Sequence, residues 1–416
     1  MKLKYILIFL FGYVATAQQS LTLSECYDLL DTNHPLLKQG DFIDKQNELD
    51  LEVLANKRKP TIELLAQVTY QSDVTSLPIS IPNMQIEKPN KEQYRASINA
   101  NQLIYDGGLL KAMEEAKKNS NISKKAALEV SVYQMRLKIN QLYYSVLSLQ
   151  EKDKLLRSKL NLLQAKLKEI KAGIKYGVLL PSQDDIIEAE VLKIDQMLES
   201  NVISKRNLKS TLSQMISKDI STYSFSKEDV SISLSDELKR PELELFNLKK
   251  EEITNNSKIF NYKNRPKLFG FAQGGIGNPA LNMLDNSFQP YYVVGLKLKW
   301  NPFDWNTAKK EQQKLLINKD IIDNQQTVFE LNTKIELTNQ QSEIENIKKQ
   351  ILSDGKIIEL RKKILKTVSS QLKNGVITSS IYITELTNLI EAEINLRTHN
   401  IQLLLAKANY NTLLGK

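Results

Sequence analysis

The feature that most constrains this chain is a stripe of residues spaced alternately four and three apart: Leu128, Val132, Met135, Ile139, Leu142, Val146, Leu149, Asp153, Leu156, Leu160, Leu163, Leu167, Ile170 and Ile174. Asp153 is its only polar member. A 3.5-residue period keeps one seam of a helix turned toward a partner helix along its whole length. No proline interrupts the stretch from Gly108 to Gly173. The spacing therefore predicts a helix of about 65 residues, about 100 Å long at 1.5 Å per residue. A returning helix carries Ile187, Val191, Ile194, Leu198, Leu208, Leu212 and Met215, and a second long seam runs through Ile344, Ile347, Ile351, Ile358, Leu365, Val368 and Leu372, interrupted by Asp354 and Arg361. Helices this long cannot bury such seams on a globular core. They must pack against like hairpins.

The stripe belongs to an internal duplication. Ile104-Tyr105-Asp106-Gly107-Gly108 corresponds to Pro302-Phe303-Asp304-Trp305-Asn306, and Tyr176-Gly177-Val178-Leu179 to Asn374-Gly375-Val376-Ile377, both at an offset of about 198 residues. Pro60–Gln67 and Pro266–Gln273 match with a small change of loop length. Each half reads helix, strand, loop, strand, very long helix, turn, helix. The expected division is a leader over 1–17, a first repeat over 18–216, a Ser-rich acidic connecting segment over 217–237 and a second repeat over 238–416.

Composition narrows the chemistry. One cysteine, Cys26, excludes an intrachain disulfide and paired-thiol sites, and two distant histidines argue against a metal centre. Lys2 and Lys4 precede an uncharged run that ends at Ala15-Thr16-Ala17, the pattern of a secretory leader cut before Gln18. Its removal lowers the formal charge from +9 to +7. The remaining lysines alternate with acidic residues on helices, so nucleic acid is not an expected partner. No phosphate cradle of the GxxxxGK[ST] type occurs, no Ser/His/Asp set can be assembled, and neither an enzyme nor a cofactor is expected. No later stretch reaches the roughly 18 apolar residues of a membrane helix. Membrane insertion would have to use β-strands.

Period-2 segments fit that role. Ile62, Leu64, Ala66, Val68 and Tyr70 alternate with polar residues, although Leu65 breaks the polar side. Tyr94, Ala96, Ile98 and Ala100 do the same, as do Tyr292, Val294, Leu296, Leu298 and Trp300. A fourth segment, 267–274, is glycine-rich and weaker. About ten residues with one apolar face suits a strand crossing a bilayer, and equally a water-soluble antiparallel sheet. Four strands cannot close around water, and open edges cannot exist in lipid. A membrane reading therefore requires several chains, and three copies would supply twelve strands.

The chain resembles the TolC family of outer-membrane efflux and secretion channels. The residues that carry the likeness are Leu21-Thr22-Leu23-Ser24-Glu25-Cys26 with Asn33-His34-Pro35, the Tyr105-Asp106-Gly107-Gly108 sequence with its degenerate partner Phe303-Asp304-Trp305, and the turns at Gly177 and Gly375. The resemblance implies a mainly α fold with a small β part: a homotrimer whose twelve-stranded β-barrel in the outer membrane continues into a twelve-helix periplasmic tunnel. An equatorial girdle would hold the 217–237 segment and the C-terminal end. It further implies a passive exit duct in a Gram-negative cell, opened at the periplasmic helical tips by a periplasmic adaptor and an inner-membrane transporter. The alternative is a periplasmic coiled-coil adaptor or scaffold without a pore.

The tips and junctions supply the candidate site residues. Gly177 and Gly375 provide turns. Asp184 and Asp185 either favour the start of the returning helix or form acidic rings at the aperture, with Tyr382 and Glu385 as weaker candidates from the second hairpin. The resemblance would place aspartates where Ile381 and Thr384 stand, so an aspartate ring from that hairpin is not implied. Val178, Leu179, Val376 and Ile377 either contact an adaptor or pack hairpin against hairpin. Asp106 and Asp304 are expected to cap the long helices, with Gly107 and Gly108 easing the first turn.

Overall fold

The computed structural model describes residues 19–75, 88–232 and 237–416. The leader over 1–17 and positions 233–236 of the connecting segment lie outside the described residues. In chain order the elements are β1 (Ser20–Leu21), α1 (Leu23–Asn33), α2 (Lys38–Asn56), β2 (Thr61–Tyr70), β3 (Glu92–Tyr105), α3 (Leu109–Gln134), α4 (Arg136–Lys175), α5 (Gln183–Ile216), β4 (Ser224–Phe225), α6 (Pro241–Lys263), β5 (Lys267–Asn278), β6 (Gln289–Lys299), α7 (Thr307–Lys373) and α8 (Ser379–Leu414). They form two compact units, each assembled from both halves of the duplication. One holds Glu129–Pro241, Phe329–Lys416 and the residues up to Leu37; the other holds Lys38–Leu128 and Glu242–Val328.

In the first unit the helical seams are buried as their spacing requires. Leu156, Leu163 and Ile170 of α4 meet Ile187, Ile194 and Leu198 of α5, and the same cluster takes in Val368 and Leu372 of α7 with Leu386 and Ile390 of α8. The hairpins thus pack on each other, α8 lying against α4 and α5. A second cluster joins Cys26 and Leu30 of α1 to Ile139, Tyr143 and Val146 of α4, Leu212 of α5 and Ile401 of α8. The polar residues in the seams have partners. Asp354 of α7 lies 2.6 Å from His399 of α8, and Arg361 of α7 lies 3.0 Å from Glu385 of α8. Lys159 of α4 pairs with Glu190 of α5 at 3.0 Å with both side chains buried. Burial lowers the Lys159 pKa, a shift that the Glu190 carboxylate opposes only in part.

One expectation changes. The single helix expected in the first half is interrupted at Met135, whose N–H bonds to the Val132 carbonyl three residues back, a local tightening that separates α3 from α4. In the second half α7 runs unbroken for 67 residues. The connecting segment, moreover, is docked. Its β4 pairs in parallel with β1, Ile220 and Phe225 enter the core, and the Gln150 side chain bonds both the N–H and the carbonyl of Phe225 at 3.1 Å.

The second unit is built around an antiparallel sheet in the order β2-β3-β5-β6. Side-chain parity is unbroken along most of its register. Ile62, Ala100, Ala272 and Val294 form one cross-strand row, and Leu64, Ile98, Gly274 and Tyr292 the next, all on one face. The other face carries Thr61, Asn101, Phe271 and Gly295, then Glu63, Asn99, Gln273 and Val293. The weak glycine-rich segment is a full strand of 12 residues. Its glycines answer to close approach: a Cβ at Gly275 would run into the Ala96 carbonyl and Ser97 backbone.

Candidate functional site

Function has to be sought in two places, the sheet and the hairpin tips. In the sheet the apolar side chains of one face are largely exposed, and Thr61, Glu63, Gln67 and Lys297 of the other face are exposed as well. Leu64 and Tyr292 are each 78% exposed and Leu296 is 70% exposed. Tyr70 and Tyr94 stand toward one end of this face, Tyr105 and Trp300 at the other, flanking an aliphatic band. Such aromatic flanks mark the two water interfaces of a membrane barrel. A ten-residue strand tilted as in known barrels spans about 26 Å, the height of the apolar band. Polar residues on this face lie at its ends: Glu92 and Asn278 beside Tyr70 and Tyr94, and at the helix end Gln102, which gives its amide hydrogens to the Arg58 and Leu103 carbonyls. Among the described residues β2 and β6 each pair along one side only. Both ends of the sheet are therefore open, a state that lipid does not tolerate.

A second unpartnered surface lies on α7. Ile317, Ile321, Val328, Leu331 and Ile335 are all exposed, at seam spacing. Phe42, Leu49 and Val53 repeat the pattern on α2. Exposed apolar residues at this spacing have the pattern of a helix-packing seam.

The strand-to-helix junctions have the same construction in both repeats. Asp106 accepts from the N–H groups of Gly108 at 2.9 Å and Leu110 at 2.5 Å. Asp304 accepts from Ala308 N–H at 2.9 Å and from the Asn264 amide, and these bonds hold its carboxyl below the usual range. Gly107 and Gly108 have φ of 72° and 91°, and their counterparts Trp305 and Asn306 have φ of 53° and 59°. The left-handed turn is thus kept where glycine is absent. Only the first copy needs the missing side chain, because a Cβ at Gly107 would overlap the Arg265 side chain, whose guanidinium bonds the Gly107 carbonyl at 3.1 Å.

The hairpin turns are also twins. Gly177 and Gly375 have φ of 70° and 71°. Val178 N–H bonds the Gly173 carbonyl and Val376 N–H the Gln371 carbonyl, each at 2.9 Å, closing equivalent left-handed helix ends. The adjoining apolar residues divide by repeat position. Val178 and Val376 point outward, while Leu179 and Ile377 pack on the hairpin core. Tyr176 and Leu180, which no sequence signal singled out, are exposed beside them.

Asp184 and Asp185 lie in the first turn of α5, half-buried and exposed respectively. Tyr382 is 3% exposed, with its ring in the hairpin cluster beneath Lys166 Nζ at 5.3 Å. Burial raises its hydroxyl pKa. Glu385 is tied to Arg361. Sequence reasoning missed a contact between the tips. The Gln183 side-chain carbonyl, at the start of α5, accepts from both the N–H and the hydroxyl of Ser379, at the start of α8, at 3.2 and 3.0 Å. All of these groups are buried. Each of the two residues opens the returning helix of its own hairpin.

No protein-family model matches the chain, and no curated protein sequence matches it. Solved structures do match. The outer-membrane channel OprN superposes with a TM-score of 0.67 at 12% identity, over 95% of this chain and 90% of that one. VceC, an outer membrane protein of Vibrio cholerae, gives 0.62 at 13% identity over 94% and 95% of the two chains. The Campylobacter jejuni CmeC outer membrane channel gives 0.63 at 13% identity over 94% and 85%. The chain has the fold of these channels. Long helical hairpins and a four-stranded antiparallel sheet, read from the heptad and period-2 patterns, are the architecture they share with it.

Proposed function

We propose that three copies of this chain close into a passive exit duct in the outer membrane of a Gram-negative cell, each copy supplying four strands to a twelve-stranded barrel and two hairpins to a periplasmic tunnel. The observation that carries this reading is the sheet: one face is aliphatic with aromatic ends although exposed in the single chain, the other holds most of the polar residues, and both edges are open. Closure with two further copies satisfies the edges and gives the seams of α7 and α2 their partners.

Within that duct, Asp184 and Asp185 stand at the periplasmic aperture, and Glu385 acts through its pairing with Arg361. The exposed knobs Tyr176, Val178, Leu180 and Val376 form the docking surface for a periplasmic adaptor, which, with an inner-membrane transporter, opens the tips for efflux or type I secretion. The chain itself supplies passage and no energy. The deciding test is physical. Protein extracted in detergent is expected to run as a trimer by multi-angle light scattering and to form pores in planar bilayers. A protein extracted as a monomer without detergent, and silent in bilayers, removes the reading in favour of a periplasmic scaffold.

A further inference from the structure

The polar face of the sheet is not evenly charged. Lys267 of β5 is directly opposite Lys299 of β6, and Lys297 follows in the next row on the same face, opposite Phe269. Like charges directly opposite each other destabilise a sheet pair. None of the three ammonium groups forms an ion pair or hydrogen bond among the described residues. Parity sets them on the side of Asn99, Gln273 and Arg95, away from Leu296, Leu298 and Trp300. The one carboxylate on that face, Glu63, is two rows further along and three strands across, about 19 Å from Lys297 at strand rise and strand spacing. The nearer carboxylates at the helix end, Asp106 and Asp304, are occupied by backbone N–H groups and Asn264. Fold stability gives no reason for such a cluster.

We propose that these lysines form an anion-attracting ring at the helix-proximal end of the barrel lumen, so that the duct favours negatively charged cargo at that level. The inference rests on the trimeric duct proposed above, in which nine such lysines would encircle a water-filled passage. A lumen lined by one sign of charge between low-dielectric walls concentrates counter-ions. Carboxylate, phosphate and sulfonate groups share the chemistry that this ring recognises.

The test compares reversal potentials in a KCl gradient for full-length pores carrying Asp184→Ala and Asp185→Ala, which removes the acidic tip as a second filter. These pores are expected to prefer chloride over potassium by about tenfold at 0.1 M salt. The preference should shrink at 1 M, where the screening length drops from about 10 Å to about 3 Å. K267Q/K297Q/K299Q in that background should abolish most of the preference, and block by added pyrophosphate with it, whereas the corresponding Lys→Arg set should keep both. Absence of any pore defeats the duct itself. Pores whose ion preference and pyrophosphate block survive the glutamine set overturn the lysine ring alone.

Discussion

The two units use the same apolar residue types in opposite directions. In the hairpin unit Leu163, Ile187 and Leu212 are fully buried. In the sheet Leu64, Val294 and Leu296 are among the most exposed residues. A hydrophobic side chain follows the solvent it will meet, and water explains only the first arrangement. In the proposed duct the difference corresponds to two environments within one chain, and it can be attacked from either side.

The largest effect is expected in the hairpin core. Leu163→Ala should cost about 2–5 kcal/mol in denaturant unfolding, while Leu64→Ala on the sheet should leave the midpoint of the soluble part unmoved. Next, Val294→Arg should weaken folding into lipid vesicles by about 2–4 kcal/mol, with Val293→Arg, one residue along on the polar face, tolerated. Equal penalties at these neighbours would break the assignment of the two faces. Gln183→Ala should cost about 1–3 kcal/mol, because it orphans the buried Ser379 N–H and hydroxyl; faster amide exchange at Ser379 would report it. Gly107→Ala should cost about 1–2 kcal/mol for its left-handed backbone alone, whereas Asn306→Gly should stabilise the second junction. The smallest effect carries a sign in pH. The Asp304 carboxyl is held below its ordinary value of 3.8, so its contribution is complete above that value and fades as pH falls through the depressed one. Wild type and Asp304→Asn should differ in melting temperature at neutral pH and converge toward the acid end.

What was legible in the residues follows from range. Heptad spacing and strict alternation are local periods, so the hairpins and three of the four strands could be read directly. Strand β5 was obscured because Gly270, Gly274, Gly275 and Gly277 leave little alternation of their own, and Gly275 and Gly277 answer to close backbone approach that no local pattern shows. The connecting segment reads as a linker by composition. Its docking depends on Gln150 and Tyr143 of α4, the latter donating from its hydroxyl to the Leu21 and Ser226 carbonyls. His399 reads as a helix-surface residue until Asp354 arrives from α7. Tyr382, near a turn in sequence, is swallowed by a cluster drawn from both hairpins. In each case the deciding partner lies on another element, which no local pattern encodes.

The Gln183 contact with Ser379 also has a mechanical meaning. It fastens the two hairpins of one chain together at their ends, so a tip that widens has two routes. If the fastening holds, both hairpins swing as one lever and the joints between neighbouring copies must slide. If it parts, a buried amide and hydroxyl lose their partners at about 1–3 kcal/mol per chain, and the hairpins splay. In the proposed trimer a single glutamine would therefore act as a latch that sets which joint yields first.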